Sequence, residues 1–240
     1  MNKLVDAISL RFYTKCMGLR GPKPKGKVRL VWSSGFAYAI GLICSDGCLY
    51  KDGRHISLTS LDIEQLSNFN RALDMDVKIS VKQGAGRRLC THIQFSDVLF
   101  HQFLVSIGVT PTKSRTIGAV KIPKKYYFDF LRGSFDGDGC FYSYYDKRWK
   151  SSFMFYITFV SASKEHIEWL RNNNKLHVGV WGHISKDSKG STYQLKYAKK
   201  ESMEIYKKMY YNAEVICLER KKIKIEKALI INDLCPGGET

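Results

Sequence analysis

The chain repeats itself, and the repeat narrows the fold more than any other feature. One segment reads Phe36-Ala-Tyr-Ala-Ile-Gly-Leu-Ile-Cys-Ser-Asp46-Gly47-Cys48-Leu49-Tyr50. A second reads Leu131-Arg-Gly-Ser-Phe-Asp-Gly-Asp138-Gly139-Cys140-Phe141-Tyr142. The two share the frame Gly-x-x-x-small-Asp-Gly-Cys-apolar-Tyr, and their aspartates are 92 positions apart. After each copy come the same elements in the same order: a hairpin, a helix, a second hairpin and another amphipathic helix. The first hairpin turns at Lys51-Asp52-Gly53, and the helices that follow the two first hairpins start at Asp62 and Ser163, each with a Glu soon after. Asp62 and Ser163 are therefore expected as N-caps.

The strands alternate. Lys78, Ser80 and Lys82 share one face against Val77, Ile79 and Val81, and His92 and Gln94 oppose Thr91, Ile93 and Phe95. In the second half Gln194 and Lys196 oppose Tyr193, Leu195 and Tyr197. The fold class this predicts is α+β. Two pseudo-twofold-related αββαββα repeats each carry a four-stranded antiparallel sheet, apolar under its helices and basic or polar on the open face. The expected organisation is a basic N-terminal extension over residues 1–29, repeats over 30–120 and 121–235, and a tail over 236–240. Within the extension, Arg20-Gly-Pro-Lys-Pro-Lys-Gly-Lys27 reads as an extended basic arm.

Gly41 and Ser45 are four apart, as are Gly133 and Gly137, so on a helix each pair lies on one face. Small residues there let two helix backbones abut across the pseudo-twofold axis. Gly47 and Gly139 read as glycine caps that stop each helix just after its aspartate. Asp46 and Asp138 then stand side by side at two helix C-termini, where the macrodipole disfavours a carboxylate. A cation in the gap resolves that conflict. Carboxylates with main-chain carbonyls form a hard, all-oxygen donor set suited to Mg²⁺, and the chemistry implied is phosphodiester hydrolysis. Asp136 has Cys44 as its counterpart and reads as structural.

Charge supports a polyanionic partner. Thirty-nine Lys and Arg against 22 Asp and Glu leave +17, spread along the chain and interleaved with aromatics, which favours nucleic acid over a membrane surface. Apolar runs such as residues 36–44 are far short of the ~20 residues needed to cross a bilayer, and no signal-peptide pattern is evident at the N-terminus. Seven cysteines without a CxxC argue against a disulfide framework and a four-thiolate zinc site, and point to a reducing, intracellular compartment. His92, His101, His166, His177 and His183 fall in no zinc-binding spacing.

The two motifs and the order of elements resemble the LAGLIDADG homing endonucleases, of the single-chain, two-motif type, over roughly residues 30–235. The resemblance implies saddle-shaped sheets in the DNA major groove and metal-dependent cleavage of both strands across the minor groove. It maps the metal-binding acids to Asp46 and Asp138, and the carbonyls that assist them to Ser45 and Gly137. Lys113 and Lys221 match the lysines that the family places near the cleaved phosphates. Mg²⁺ is the expected cofactor, with Mn²⁺ substituting and Ca²⁺ supporting binding without cleavage. The expected partner is double-stranded DNA with a long, partly asymmetric site, bound by a monomer, in the service of a mobile intron. An RNA-binding maturase acting on intron RNA and a non-cleaving DNA-binding regulator are the alternatives. Candidate DNA contacts in the first half are Lys51, Arg54, Lys78, Lys82, Arg87, Arg88, His92 and Gln94. In the second half they are Tyr144, Lys147, Arg148, Lys150, Lys186, Lys189, Gln194 and Lys196.

Overall fold

Eight consecutive residues, 36–43, are all buried in helix α1 (Ser34–Asp46), so this helix is covered on every side. Its N-terminus is capped by Ser33, whose hydroxyl accepts from Phe36 N at 3.0 Å. A computed structural model describes residues 26–83, 89–148, 152–187 and 190–234. The second buried helix, α4 (Tyr127–Asp138), lies against α1 and is also buried over most of its length. The contact is backbone to backbone. A Cβ on Gly133 would collide with the Tyr38 carbonyl and come within 3.1 Å of Gly41 Cα, and one on Gly41 would lie 2.7 Å from Ser134 N.

Each central helix opens one half. α1 leads into β1 (Gly47–Leu49), β2 (His55–Ser60), α2 (Ile63–Leu73), β3 (Ser80–Gln83), β4 (Leu89–Ser96) and α3 (Val98–Ser106). α4 leads into β5 (Cys140–Tyr145), β6 (Phe153–Ser161), α5 (Lys164–Val178), β7 (His183–Lys186), β8 (Tyr193–Ala198) and α6 (Lys199–Met209). Both sheets are antiparallel and have matching orders, β1-β2-β4-β3 and β5-β6-β8-β7. The α+β architecture of two αββαββα units is therefore present. A further helix, α7 (Glu219–Leu234), follows only the second unit.

Register sets the two faces of each sheet. Leu58 pairs with Ile93 and Leu49 with Ile56, all buried under the helices, while Ser57 pairs with Gln94 and Thr59 with His92 on the other side. In the second sheet Ile157 pairs with Tyr197 and Phe159 with Leu195 on the core side, and Thr158 pairs with Lys196 on the open side. Val81 departs from its expected burial. It has the parity of the apolar face, but its edge strand is uncovered and the side chain is 65% exposed.

Two expected caps differ. Gly47 and Gly139 end their helices in extended conformation, φ −79° and −72°, and not in the left-handed region. Glycine is needed there for space: a Cβ would lie 2.6 Å from Ile43 Cα or Phe135 Cα, so each strand can turn back tightly against its own helix. Asp62 stands at the N-cap of α2 but makes no capping bond, because its carboxylate is taken by Arg220 at 2.5–3.1 Å. Ser163 caps α5 as expected.

Long-range polar bonds join the halves. The Tyr38 hydroxyl donates to Asp136 at 2.8 Å, and Asn68 donates to the Cys217 carbonyl at 2.7 Å. Buried Arg132 pairs with Asp129 at 2.7 Å and donates to the carbonyls of Met209 and Ile216, fixing the segment before α7 on α4. The end of the N-terminal arm is also tied down, with Lys27 N and Val28 N donating to Asp97. Residues 20–25 of that arm lie outside the described residues.

Candidate active site

Because α1 and α4 abut, their C-termini stop together, and each ends in an aspartate. Asp46 and Asp138 are the last residues of their helices. The Asp46 carboxylate reaches the other half: a Cβ on Gly137 would lie 3.0 Å from its Oδ2 and would collide with the Ser45 hydroxyl. Glycine at position 137 is thus what allows the two last turns to meet. The Asp46 carboxyl is raised above the usual carboxylate range by burial and further by the Asp138 charge, opposed by a hydrogen bond from Gln65 and by the charges of Lys221 and Lys113. Burial also raises Asp138, with Lys113 and Lys221 opposing.

The two lysines approach from the carbonyl side. Lys113 sits in a turn in which Thr112 takes φ 60°, an uncommon conformation for a β-branched residue. Its Nζ is buried and lies 3.4 Å from the Ser45 carbonyl. Lys221, in the first turns of α7, donates to the carbonyls of Phe135, Asp136, Gly137 and Gly139 at 2.7–3.0 Å. An ammonium against the last carbonyls of a helix offsets the negative end of its dipole. Burial lowers the pKa of both lysines. The two ammonium groups thus supply part of the positive charge that the sequence assigned wholly to a metal.

Among the described residues neither lysine forms an ion pair with Asp46 or Asp138, and Asp138 makes no hydrogen bond. Both carboxylates therefore keep lone pairs for a ligand. No group of three or more His, Cys, Asp or Glu side chains is placed to hold a metal among the described residues. The two carboxylates, with the carbonyls of Ser45 and Gly137 each keeping one lone pair besides the one that accepts from its lysine, could serve as a hard oxygen donor set of the kind Mg²⁺ takes. Asp136 is structural as expected. Its Oδ2 accepts from Tyr38 and from Leu218 N at 2.7 Å, and burial pushes its carboxyl up to about 6.

Two residues in contact with this region were not legible in the sequence. Gln65, 2% exposed, donates from Nε2 to Asp46 Oδ2 at 2.6 Å, and Ser60 Oγ donates to Gln65 Oε1 at 2.8 Å. His166 occupies the matching position in α5, three residues after the N-cap. Its Nδ1 bonds the Gly118 carbonyl at 2.8 Å, and burial lowers its pKa to about 4, so the ring is neutral. The one available signal was the N-cap-plus-three spacing, which suggests a capping box in place of a reach across to the motif helix.

The open sheet faces collect some of the expected DNA contacts. Lys82, His92 and Gln94 share the first open face with Tyr50, whose hydroxyl bonds Gln94 at 3.4 Å. Lys51, Arg54 and Lys78 are exposed next to it, in the first hairpin turn and before β3. Gln194 and Lys196 lie on the second open face, which is lined with tyrosine. Tyr142, Tyr144 and Tyr156 stack at 5.0 and 6.3 Å, and Lys196 Nζ lies 5.8 Å from the Tyr142 ring centre. Only Tyr144 of these three was anticipated. Lys147 and Arg148 are exposed in the β5–β6 turn. Lys186 is a correction. It pairs with Tyr193 on the side of Leu195, so register turns it away from the open face. Arg87, Arg88, Lys150 and Lys189 lie outside the described residues.

No protein-family model and no curated protein matches the chain. Solved structures do. The homing endonuclease I-WcaI bound to its DNA recognition sequence is 14% identical over 86% of this chain and 95% of its own, with a TM-score of 0.57. The I-LtrWI LAGLIDADG homing endonuclease bound to target DNA is 12% identical over 85% and 91%, with a TM-score of 0.55. Full-length DUF199/WhiA from Thermatoga maritima is 15% identical over 84% of this chain, with a TM-score of 0.54. This chain spans 62% of the length of that WhiA protein. The fold is that of the single-chain, two-domain LAGLIDADG homing endonucleases. It also occurs in the WhiA protein.

Proposed function

We infer that this protein is a sequence-specific DNA endonuclease that cuts both strands by divalent-metal-dependent phosphodiester hydrolysis, acting as a monomer for a mobile intron. One observation carries the reading: Asp46 and Asp138, one from each half, end two abutting helices between two sheets. Asp46 and Asp138, with the carbonyls of Ser45 and Gly137, would hold Mg²⁺. When bound there, the ion supplies Lewis-acid activation of the phosphodiester and stabilisation of the leaving oxygen. The chain's own residues do the rest. Gln65 fixes the Asp46 carboxylate, so that acid needs no reordering when substrate arrives. Lys113 and Lys221 hold positive charge at the two helix ends, where charge develops on a cleaved phosphate. The sheets lie along the DNA, with Lys82, His92 and Gln94 on one face and Tyr142, Tyr144, Tyr156 and Lys196 on the other. The similarity to DNA-bound endonucleases supports the duplex as partner.

A non-cleaving DNA-binding regulator is the second reading, supported by the similarity to WhiA. The acid pair, which forms no ion pair among the described residues, favours the nuclease. The test is a randomised DNA pool incubated with Mg²⁺, Mn²⁺, Ca²⁺ or chelator. Double-strand cuts are expected with Mg²⁺ and Mn²⁺, and binding without cuts in Ca²⁺. Asp46→Asn and Asp138→Asn are each expected to lose cutting. Variants that cut like the parent would overturn the reading, and a parent that binds one sequence but never cuts would establish the regulator.

A further inference from the structure

The two halves match in backbone but hold their acids differently. In the first, Ser60 Oγ accepts from Asp62 N at 3.0 Å and donates to Gln65, which donates to Asp46. In the second, Ser161 Oγ accepts from Ser163 N at 3.1 Å in the same way, but His166 stands in the place of Gln65, and among the described residues its ring bonds the Gly118 carbonyl and neither Ser161 nor Asp138. A carbonyl only accepts, so the ring nitrogen facing Gly118 O, Nδ1, carries the hydrogen, and Nε2 is left as an acceptor. Two acceptors, Nε2 and the Asp138 carboxylate, cannot bond each other. A small cavity of about 20 Å³ borders both residues, with Cys44, Ser45, Ser134 and Ser161 and the apolar Phe159, Val160 and Leu170 in its wall. That volume suits a single water. The Ser134 hydroxyl, in a residue 7% exposed, is buried and makes no hydrogen bond among the described residues. A buried hydroxyl without a partner is uncommon unless water satisfies it.

We propose that this cavity holds one water, which donates to His166 Nε2 and to the Asp138 carboxylate and accepts from the Ser134 hydroxyl. His166 is then the positioning residue for Asp138, acting through the water as Gln65 acts directly on Asp46. The consequence for the reaction rests on the endonuclease reading above: each half is tuned separately, and the two strands are cut at unequal rates.

Two measurements test this. The first needs no metal or DNA. Nitrogen-15 shifts of the metal-free protein are expected to show His166 as the Nδ1–H tautomer, and a high-resolution crystal structure to show the water. An Nε2–H tautomer or an empty cavity overturns the proposal. The second follows each labelled strand during cleavage. Losing a group that orients a metal-ligating carboxylate typically lowers activity about 10–100-fold. His166→Ala is therefore expected to slow one strand at least about tenfold and leave the other near the parent rate. His166→Gln, whose amide can donate to Asp138 directly, is expected to restore the slowed strand. Equal slowing of both strands, or no slowing, overturns the positioning role. A parent that cuts neither strand in Mg²⁺ overturns the endonuclease reading instead, and leaves the tautomer and the water as the test of the site.

Discussion

At the scale of single residues, the candidate site depends on groups that hold other groups. Gln65 is the plainest, since its amide is the one hydrogen bond to Asp46 among the described residues. Gln65→Leu keeps the volume but leaves the carboxylate free, and is expected to cut about 10–100-fold more slowly in the strand served by Asp46. Strand-resolved kinetics would show it, and an unchanged rate would remove Gln65 from the site. His166 makes a prediction about stability. Its folded pKa of about 4 lies below the usual 6.5. Between those values the unfolded chain takes up a proton that the buried ring refuses. Stability from this group is whole above pH ~6.5 and falls as pH drops towards ~4, by up to about 3 kcal/mol. Denaturant melts at several pH values should show a smaller acid loss for His166→Gln. An identical loss would mean that the folded ring takes up its proton as readily as the unfolded one.

Among the elements, the α1–α4 pair decides the most. The small residues at 41, 45, 133 and 137 were read as a close helix contact, and the backbone approach at Gly41 and Gly133 is that contact. Larger side chains there meet backbone, which cannot rotate away. Gly133→Val is expected to destabilise by about 3 kcal/mol or more. Thermal and denaturant unfolding measure it, and a loss under about 1 kcal/mol would mean that the helices can separate without harm. The sheets followed the alternation read from the chain at β4 and β8, where every expected inward residue is at least half-buried. Edge strands did worse, because alternation gives the side a residue takes and says nothing of whether that side is covered. Val81 shows this, while Lys186 was assigned to the open face without a register and takes the other side.

For the whole molecule, charge and the joining of the halves matter. A net charge of +17, with Lys82 and Lys196 on the open sheet faces and Lys51, Arg54 and Lys78 beside the first of them, predicts strong salt dependence. If six to ten phosphates are neutralised, DNA affinity should fall roughly 10³–10⁵-fold between 50 and 200 mM salt. Titrations at several salt concentrations measure the slope, and a flat response would exclude a groove-spanning saddle. The Arg220–Asp62 pair bridges the halves at the surface, with side chains 58% and 31% exposed. Arg220→Ala is expected to destabilise by no more than about 1 kcal/mol, since such exposed pairs contribute little.

The sequence by itself determined the two units, their order of helices and strands, the abutting small residues and the pair of aspartates, because each follows from local periodicity or from a spacing that recurs. It placed Lys113 and Lys221 near the site only through resemblance, and it missed Gln65, His166, Tyr142 and Tyr156. The tertiary structure decided which partners each of these meets. Gln65 finds an acid 19 positions away and Lys221 finds carbonyls 82–86 positions away. No local pattern encodes such pairings. They exist only once two helices pack close enough for their last turns to share one space.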